Sequence, residues 1–127
     1  SCNKIMDKTP YAELKVWQKS MDMVEEVYRV TLKIPDCERF GLIPQIRRAA
    51  VSVPSNIAEG YARISTKEYI NFLAIARGSN AEITTQLLIC KRLGYLSDSD
   101  IATVMLLLEE IGKMISAIIN KLGTNKL

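Results

Sequence analysis

The segment RRAAVSVPSNIAEG, residues 47–60, decides the fold because it combines a helical pattern with an internal proline. Its apolar residues, taken with the isoleucine just before it, recur at the spacing of one helix face: Ile46, Ala49, Ala50, Val53 and Ile57. Pro54 lies in the middle of that face, where it removes one backbone donor and clashes with the carbonyl four residues earlier, at a cost of about 3 kcal/mol. The pattern predicts a helix that continues through Pro54 with a kink.

The composition indicates one globular domain that spans all 127 residues. Apolar residues make up 48% of the chain and charged residues 24%, as in ordinary folded proteins. Charges interrupt every apolar run, so no membrane-spanning helix is expected. The first ten residues, SCNKIMDKTP, lack the apolar segment of a signal peptide, which favours a cytoplasmic location.

The spacing of the cysteines and the absence of histidine argue against disulfide, zinc and histidine-dependent catalytic sites. The chain has three cysteines at wide spacing, Cys2, Cys37 and Cys90, and no CxxC pair, so neither a disulfide framework nor a zinc site is expected. Cys90 falls in an apolar helical pattern and is interpreted as core filling. The absence of histidine removes the commonest general base and metal ligand. We therefore predict no catalytic residue, no metal and no cofactor.

Helical periodicity, together with capping residues, glycines and prolines at its interruptions, predicts four helices, at about 11–33, 44–59, 66–93 and 98–122. The two ends of the chain are predicted to be loose. The second is expected to end at Gly60 in a left-handed cap, and the third to close at Gly94. The third opens with a capping box from Ser65 to Glu68, and the fourth with a similar start at Ser97. Short connections make sequential helices antiparallel neighbours. The fold class is all-α, an antiparallel up-down-up-down four-helix bundle whose second helix is kinked at Pro54.

The first helix carries more apolar surface than one bundle core requires. One stripe consists of Leu14, Trp17, Met21, Val24 and Tyr28. A second, turned by roughly 120° from the first, consists of Val16, Met23, Val27, Val30 and Ile34. A surface helix needs one such stripe, so either the helix is sunk between its neighbours or it meets a second subunit. We predict a homo-oligomer whose first helix contributes its second apolar stripe to the interface, with the apolar fourth helix as a possible complement.

Polar residues cluster on the second and third helices, and three interpretations are open. The favoured one is a structural polar network of Arg47, Arg48, Asn56, Glu59 and Glu82 that fixes helix register. In it, Arg47 or Arg48 pairs with Glu82 between the two helices. A second interpretation makes Arg47, Arg48, Arg63 and Arg77 a phosphate-contacting set. The third pairs Glu59 with Glu82 as catalytic carboxylates, but no base, metal ligand or nucleophile accompanies them.

Five motifs in order carry a resemblance to a known family: VWQKSM (residues 16–21), ERFGL (38–42), QIRRAA (45–50), SNIAEG (55–60), and Gly78-Ser79 followed by Glu82. On these motifs the chain resembles the small four-helix bundle proteins encoded by intervening sequences in bacterial 23S ribosomal RNA genes. The resemblance implies a ring of five subunits, a homopentamer. It also implies similarity to the accessory variability determinant protein of diversity-generating retroelements, a basic pentamer that works with a reverse transcriptase and binds nucleic acid. For the intervening-sequence proteins it implies no established activity.

Three function classes remain after these observations. The first is a nucleic-acid-binding protein, RNA or DNA, that contacts phosphates through Arg48, Arg63, Lys67 and Arg77, with Lys4 and Lys8 near the start. The net charge of +3 is small for such a protein, but an oligomer would repeat weak contacts. The alternative is a scaffold or adaptor that binds a protein partner such as a polymerase and needs no excess charge. An enzyme is the least favoured class, because histidine is absent.

Overall fold

The computed structural model describes residues 11–125 of the chain and is helical throughout its long elements. The four long helices are α1 (Lys15–Thr31), α2 (Leu42–Tyr61), α3 (Thr66–Arg92) and α4 (Asp98–Asn125). Two short 3₁₀ helices, Tyr11–Glu13 and Asp36–Glu38, lie before α1 and between α1 and α2. No strand occurs in residues 11–125, so the predicted all-α class is confirmed. Lys4, Lys8 and Cys2 lie outside the described residues.

The helices enclose one core to which all four contribute. Each long helix packs against the next in the chain, and α1 also packs against α4, so the four form a closed cycle. The largest fully buried side chains are Met23, Ile46, Ile57, Leu73, Ile83, Leu87, Leu108, Ile111 and Ile115. Cys90 is fully buried among them, which confirms its interpretation as core filling, and burial raises the pKa of its thiol. In this cycle the α1–α2 side of the bundle lies opposite the α3–α4 side.

The first helix begins later than predicted. Instead of one helix from residue 11, a 3₁₀ turn covers Tyr11–Glu13 and Leu14 is extended, with φ −74° and ψ 126°. The Tyr11 ring packs edge-on against Trp17 at 5.3 Å between ring centroids. This contact packs the 3₁₀ turn against the first turns of α1. Apolar periodicity along the sequence does not predict such a contact, so it did not reveal the break at Leu14.

The prediction that Gly60 forms a left-handed cap is wrong. Gly60 lies inside α2, and Gly94 is the one glycine with positive φ, at 81°, among the described residues. A Cβ at position 60 would lie 2.6 Å from the Cβ of Phe72 and 3.1 Å from the Tyr69 ring. Glycine is therefore needed there because α2 and α3 approach closely beside their connection. The left-handed Gly94 closes α3 as expected.

Side-chain caps fix the starts of α3 and α4. The Ser65 hydroxyl accepts a hydrogen bond from the Glu68 backbone N–H at 3.1 Å, so the predicted cap of α3 is present. At the start of α4, Ser97 and Asp100 form two reciprocal capping hydrogen bonds. The Asp100 backbone N–H donates to Ser97 Oγ at 3.1 Å, and the Ser97 N–H donates to the Asp100 carboxylate at 2.8 Å. Lys33 of the α1–α2 connection also reaches Asp100, at 3.0 Å.

Asp100 is expected to make stability depend on pH in the acid range. The Ser97 backbone hydrogen bond, assisted by Lys33, lowers the pKa of Asp100 from 3.8 to about 2. The folded state therefore favours the carboxylate, a contribution that is present above pH 3.8 and lost as the pH falls towards 2. We expect Asp100→Asn to lower the urea midpoint at neutral pH and to match the wild type near pH 2. Asp22→Asn is the control, because Asp22 is exposed and forms no ion pair with any residue that the structure describes. A constant difference at all pH values would contradict this.

Glu38 braces the connection between α1 and α2. One carboxylate oxygen accepts the Leu42 backbone N–H at 3.1 Å, at the first turn of α2. The other accepts the Tyr95 hydroxyl hydrogen at 3.0 Å, and this bond raises the pKa of Tyr95 to about 12. The carboxylate therefore joins the α1–α2 connection to the α3–α4 connection at the same end of the bundle.

Candidate interaction surfaces

A half-exposed apolar surface runs along the α1–α2 side of the bundle. We call it the ridge and define it by four side chains of α1 and one of α2: Trp17, Met21, Val24, Tyr28 and Val51. Met21, Tyr28 and Val51 are 40%, 41% and 43% exposed. Shallow hollows of about 340 and 370 Å³ lie between these side chains and α2. Clustered bulky side chains exposed in this way are typical of interfaces.

The structure corrects which stripe of the first helix is free to meet another subunit. The second stripe, which we predicted to form the interface, is buried: Val16, Met23, Val27, Val30 and Ile34 are each at most 4% exposed. It forms the share of the core that α1 provides. The first stripe supplies the ridge: Met21 and Tyr28 are exposed, and Trp17 and Val24 are partly buried against the core. Sequence periodicity separated the two stripes but could not tell which one faces the core between α2 and α4.

Arg47 is held at the edge of the ridge by α1. Its Nε donates to Thr31 Oγ1 at 2.9 Å, and its guanidinium lies 4.4 Å from the centre of the Tyr28 ring. A second donor reaches the Tyr28 carbonyl at 3.4 Å. The two hydrogen bonds and the position of the cation over the aromatic face orient the Arg47 side chain. Arg47 therefore connects α2 to α1 rather than to α3.

The predicted ion pair to Glu82 is wrong. Within residues 11–125 neither Arg47 nor Arg48 forms an ion pair with Glu82. Arg48 and Glu82 do lie on the same open hollow of about 350 Å³ between α2 and α3. Both residues are exposed, and the Glu82 carboxylate instead accepts from Gln86 one turn along α3 at 3.3 Å. Water competes for exposed charges, so their presence on neighbouring helices does not enforce a pair.

Small hydroxyls and an amide, rather than charges, connect α2 and α3. Ser52 Oγ and Ser79 Oγ lie 2.9 Å apart across the two helices. Asn56 donates to the Ser52 carbonyl at 2.8 Å and to its hydroxyl at 2.9 Å. Glu59 stands apart from this group and pairs with Arg63 at 2.8 Å. The structure therefore divides the five residues of the predicted network among separate contacts.

The four residues predicted to contact phosphate lie at different places on the bundle. Arg63 lies between Glu59 and Glu68, at 2.8 and 3.7 Å. Arg48 and Lys67 are exposed and form no ion pair within the described part of the chain. The charges of Arg48 and Lys67 are therefore available for contacts with phosphate, whereas the charge of Arg63 is already offset by two carboxylates.

Arg77, the fourth of these residues, borders an open groove of about 910 Å³ between α3 and α4. It donates to Ser116 across the groove at 3.3 Å. The groove lies on the side of the bundle opposite the ridge, because the helices pack in a cycle. Small side chains make up much of its lining: Ala81, Thr84, Gly112, Ser116 and Ala117.

Sequence reasoning missed Asn80, a buried polar residue at this groove. Asn80 is 6% exposed, and its amide nitrogen donates to the Leu108 carbonyl at 2.8 Å. Its Oδ1 is buried and has no hydrogen-bond partner. Turning the amide over would set oxygen against oxygen, so the orientation is fixed by Leu108. The available signal was a polar residue between Ala76 and Ile83 at the spacing of the core face.

Two kinds of site are not found in residues 11–125. No group of three or more Cys, Asp or Glu side chains lies close enough together to hold a metal ion in that part of the chain. None of its helices combines the length and the apolar character that a bilayer crossing requires.

Comparison with known proteins identifies a matching family model and a similar crystal structure. A family model described as 23S rRNA-intervening sequence protein matches residues 12–117, which confirms the resemblance drawn from the motifs. The chain is also similar to a 1.70 Å crystal structure of a protein of unknown function from the S23 ribosomal protein family of Bacteroides thetaiotaomicron VPI-5482. Identity is 25% and the TM-score 0.74, over 82% of this chain and 97% of that chain. No curated protein matches the chain. Neither description names an enzymatic activity.

Proposed function

The chain belongs to the 23S rRNA-intervening sequence protein family, and from that premise we propose that it is a non-catalytic scaffold that assembles with copies of itself through the ridge. The observation that carries this proposal is the exposure of Met21, Tyr28 and Val51 side by side on one face. Fully burying a Met or Val side chain gains about 1.5–3 kcal/mol. Since 40% of Met21 and 43% of Val51 remain exposed, covering them in an assembly gains roughly 1 kcal/mol each, without any excess of charge.

The scaffold in this proposal is an antiparallel up-down-up-down bundle in which α2 bends at Pro54. Two contacts support the antiparallel course: Lys19 of α1 pairs with Glu110 of α4 at 3.3 Å, and Lys33, two residues after the end of α1, pairs with Asp100 of α4 at 3.0 Å. Residue numbers rise along α1 as they fall along α4. Support for the bend is that α2 continues through a buried Pro54, which offers no backbone N–H to the preceding turn.

The mass of the protein in solution tests the self-association proposal. The resemblance to intervening-sequence proteins sets the expectation at five chains of 14.3 kDa each. Light scattering across micromolar concentrations is expected to give a mass well above one chain. A mass of a single chain at every concentration would exclude the scaffold as proposed.

A second candidate function, nucleic-acid binding, is favoured by Arg48 and Lys67, two exposed cations that form no ion pair within the described residues. In an assembly these cations would recur in every subunit, so weak phosphate contacts would reinforce one another. No stacking surface of interleaved aromatics accompanies them within the described residues. Binding of this kind would be electrostatic and insensitive to sequence.

The salt dependence of RNA binding is the measurement that tests this second function. We expect the double variant Arg48→Ala/Lys67→Ala to reduce the slope of log affinity against log salt by about 0.7–0.9 for each contact removed. Arg63→Ala is the matched control, because Glu59 and Glu68 already offset its charge. The same titration also tests the sequence-based expectation that Arg63 is a phosphate contact. Equal slopes for wild type and double variant, or no binding at low salt, would reject the function.

A further inference from the structure

We propose that the open hollow between α2 and α3 binds a small zwitterion, a compound that carries an ammonium group and a carboxylate on one carbon atom as an α-amino acid does. The hollow has a volume of about 350 Å³ and is lined by Gln45, Arg48, Ala49, Ser52, Ser79 and Glu82. This inference goes beyond the proposed function, because binding in the hollow requires neither the ridge nor a second copy of the chain.

Two separate segments of the chain supply the polar lining of the hollow. On α2, Gln45, Arg48 and Ser52 recur at intervals of three and four residues, so they share one helix face. On α3, Ser79 and Glu82 are three residues apart and share a face as well. Four of these five residues belong to two of the motifs on which the family resemblance rests. The approach of α2 to α3 therefore gathers polar side chains from two motifs into one cavity.

Opposite charges line the hollow without neutralising each other. Arg48 forms no ion pair and no side-chain hydrogen bond within residues 11–125. Glu82 forms no ion pair there either, and its carboxylate accepts only from the neutral amide of Gln86. An anion alone would be repelled by Glu82, and a cation alone by Arg48. A ligand with both charges is attracted by both residues.

The hydroxyl pair in the hollow has one hydrogen to give to a ligand. Ser52 Oγ and Ser79 Oγ lie 2.9 Å apart, and Asn56 donates to Ser52 Oγ at 2.9 Å. The two hydroxyls have two hydrogens, and only one of them can lie between the two oxygens. The other has no acceptor within the described residues, and the Gln45 amide forms no hydrogen bond there. A ligand carboxylate at Arg48 can therefore accept from a hydroxyl and an amide as well.

The size of the hollow favours a small molecule. Its volume of about 350 Å³ is near the lower end of the range for ligand pockets, ~300–1,000 Å³. Arg48 is four residues before Ser52, and Glu82 is three residues after Ser79, so each charge lies about one helical turn from the hydroxyl pair. An α-amino acid holds its two charged groups equally close together. A nucleic-acid strand would instead bring phosphates, which Glu82 repels.

Three probes of matched size test this assignment: L-alanine, propionate and ethylamine. The last two are L-alanine without its ammonium group and without its carboxylate. Chemical-shift changes of the ¹⁵N-labelled wild-type protein measure both the affinity and the place of binding. We expect L-alanine to bind in the millimolar range, at least about tenfold more tightly than either analogue. The shifts are expected to concentrate in residues 45–52 and 79–82.

Two variants assign the charged groups. Arg48→Ala is expected to weaken the binding of L-alanine by at least about tenfold. Glu82→Gln is expected to remove the preference for L-alanine over propionate, since a neutral amide neither pairs with an ammonium group nor repels a carboxylate. Arg92→Ala and Glu25→Gln are the matched controls. Both positions are exposed, lie outside the hollow and form no ion pair within the described residues, so these variants are expected to bind as the wild type does.

The comparison of probes on the wild-type protein can overturn the inference without any variant. An absence of shifts in the hollow up to millimolar L-alanine would do so, as would equal affinities for L-alanine and propionate. Tighter binding of inorganic phosphate than of L-alanine would also overturn it, because the hollow would then be a plain anion site. Self-association is measured separately as mass, so a protein of one chain would overturn the scaffold and leave this inference intact.

Discussion

Met21→Glu/Val51→Lys is expected to reduce the protein in solution to single chains that remain folded. Both positions are on the ridge and more than a third exposed, so the new side chains are hydrated in the isolated protomer. In an assembly the same charges would be desolvated against apolar surface, which costs several kcal/mol for each ion. Because 1.4 kcal/mol is a factor of ten in an equilibrium constant, the assembly constant is expected to fall by at least about a thousandfold.

Light scattering at matched concentrations measures this loss, with circular dichroism to verify helicity. Ile75→Glu is the control, since Ile75 is 52% exposed on α3 and belongs neither to the ridge nor to the groove. We expect the control to keep the mass of the wild type. If the ridge variant kept that mass as well, self-association through the ridge would be excluded.

Gly60→Ala and Gly78→Ala are expected to change stability in opposite directions. At position 60 the added methyl group meets the Phe72 Cβ at 2.6 Å and the Tyr69 ring at 3.1 Å. Overpacking of this kind costs about 1–3 kcal/mol, and near the upper end it outweighs the gain of roughly 1 kcal/mol in helix propensity. At position 78 nothing lies within 4 Å of the added carbon, so only the gain of about 0.5–1 kcal/mol remains.

Urea unfolding at one protein concentration compares these two variants with the wild type. The two free energies of unfolding are expected to differ by about 2 kcal/mol, with Gly60→Ala the less stable. Gly60→Val adds two more carbons at the same contact and is expected to lose about 3 kcal/mol or more. Equal stabilities for the two alanine variants would show that the approach of α2 to α3 can relax without cost.

The sequence predicted the helices well because their signals are local. Apolar periodicity and the caps at Ser65 and Ser97 depend on residues within a turn of one another, and the structure has both caps where they were expected. The predicted helix boundaries were wrong where the local conformation depends on a tertiary contact. The break at Leu14 accompanies the packing of Tyr11 on Trp17, and such a contact has no fixed sequence spacing.

The polar contacts were less predictable because charge alone does not select a partner. Arg47 or Arg48 was predicted to pair with Glu82, but Arg47 lies over the Tyr28 ring, a contact that joins α2 to α1, and Arg48 forms no ion pair within the described residues. Ser52 and Ser79, which the sequence analysis did not place in the polar network, form a hydrogen bond with each other across α2 and α3. Which residues of two helices face each other depends on rotation about the helix axes. The rotation of each helix about its axis cannot be read from the spacing of residues in a single sequence.

The closed cycle of helices has a consequence for the order in which the chain can fold during its synthesis. Neighbouring helices need only short loops to meet, but α1 completes its packing only against α4. Lys33 and Asp100 are 67 residues apart, and Lys19 and Glu110 are 91. Closing such long loops is the slow, entropically costly step. Until α4 leaves the ribosome, the part of α1 that packs against α4 therefore remains exposed together with the ridge, and the nascent chain is most prone to aggregation in that interval.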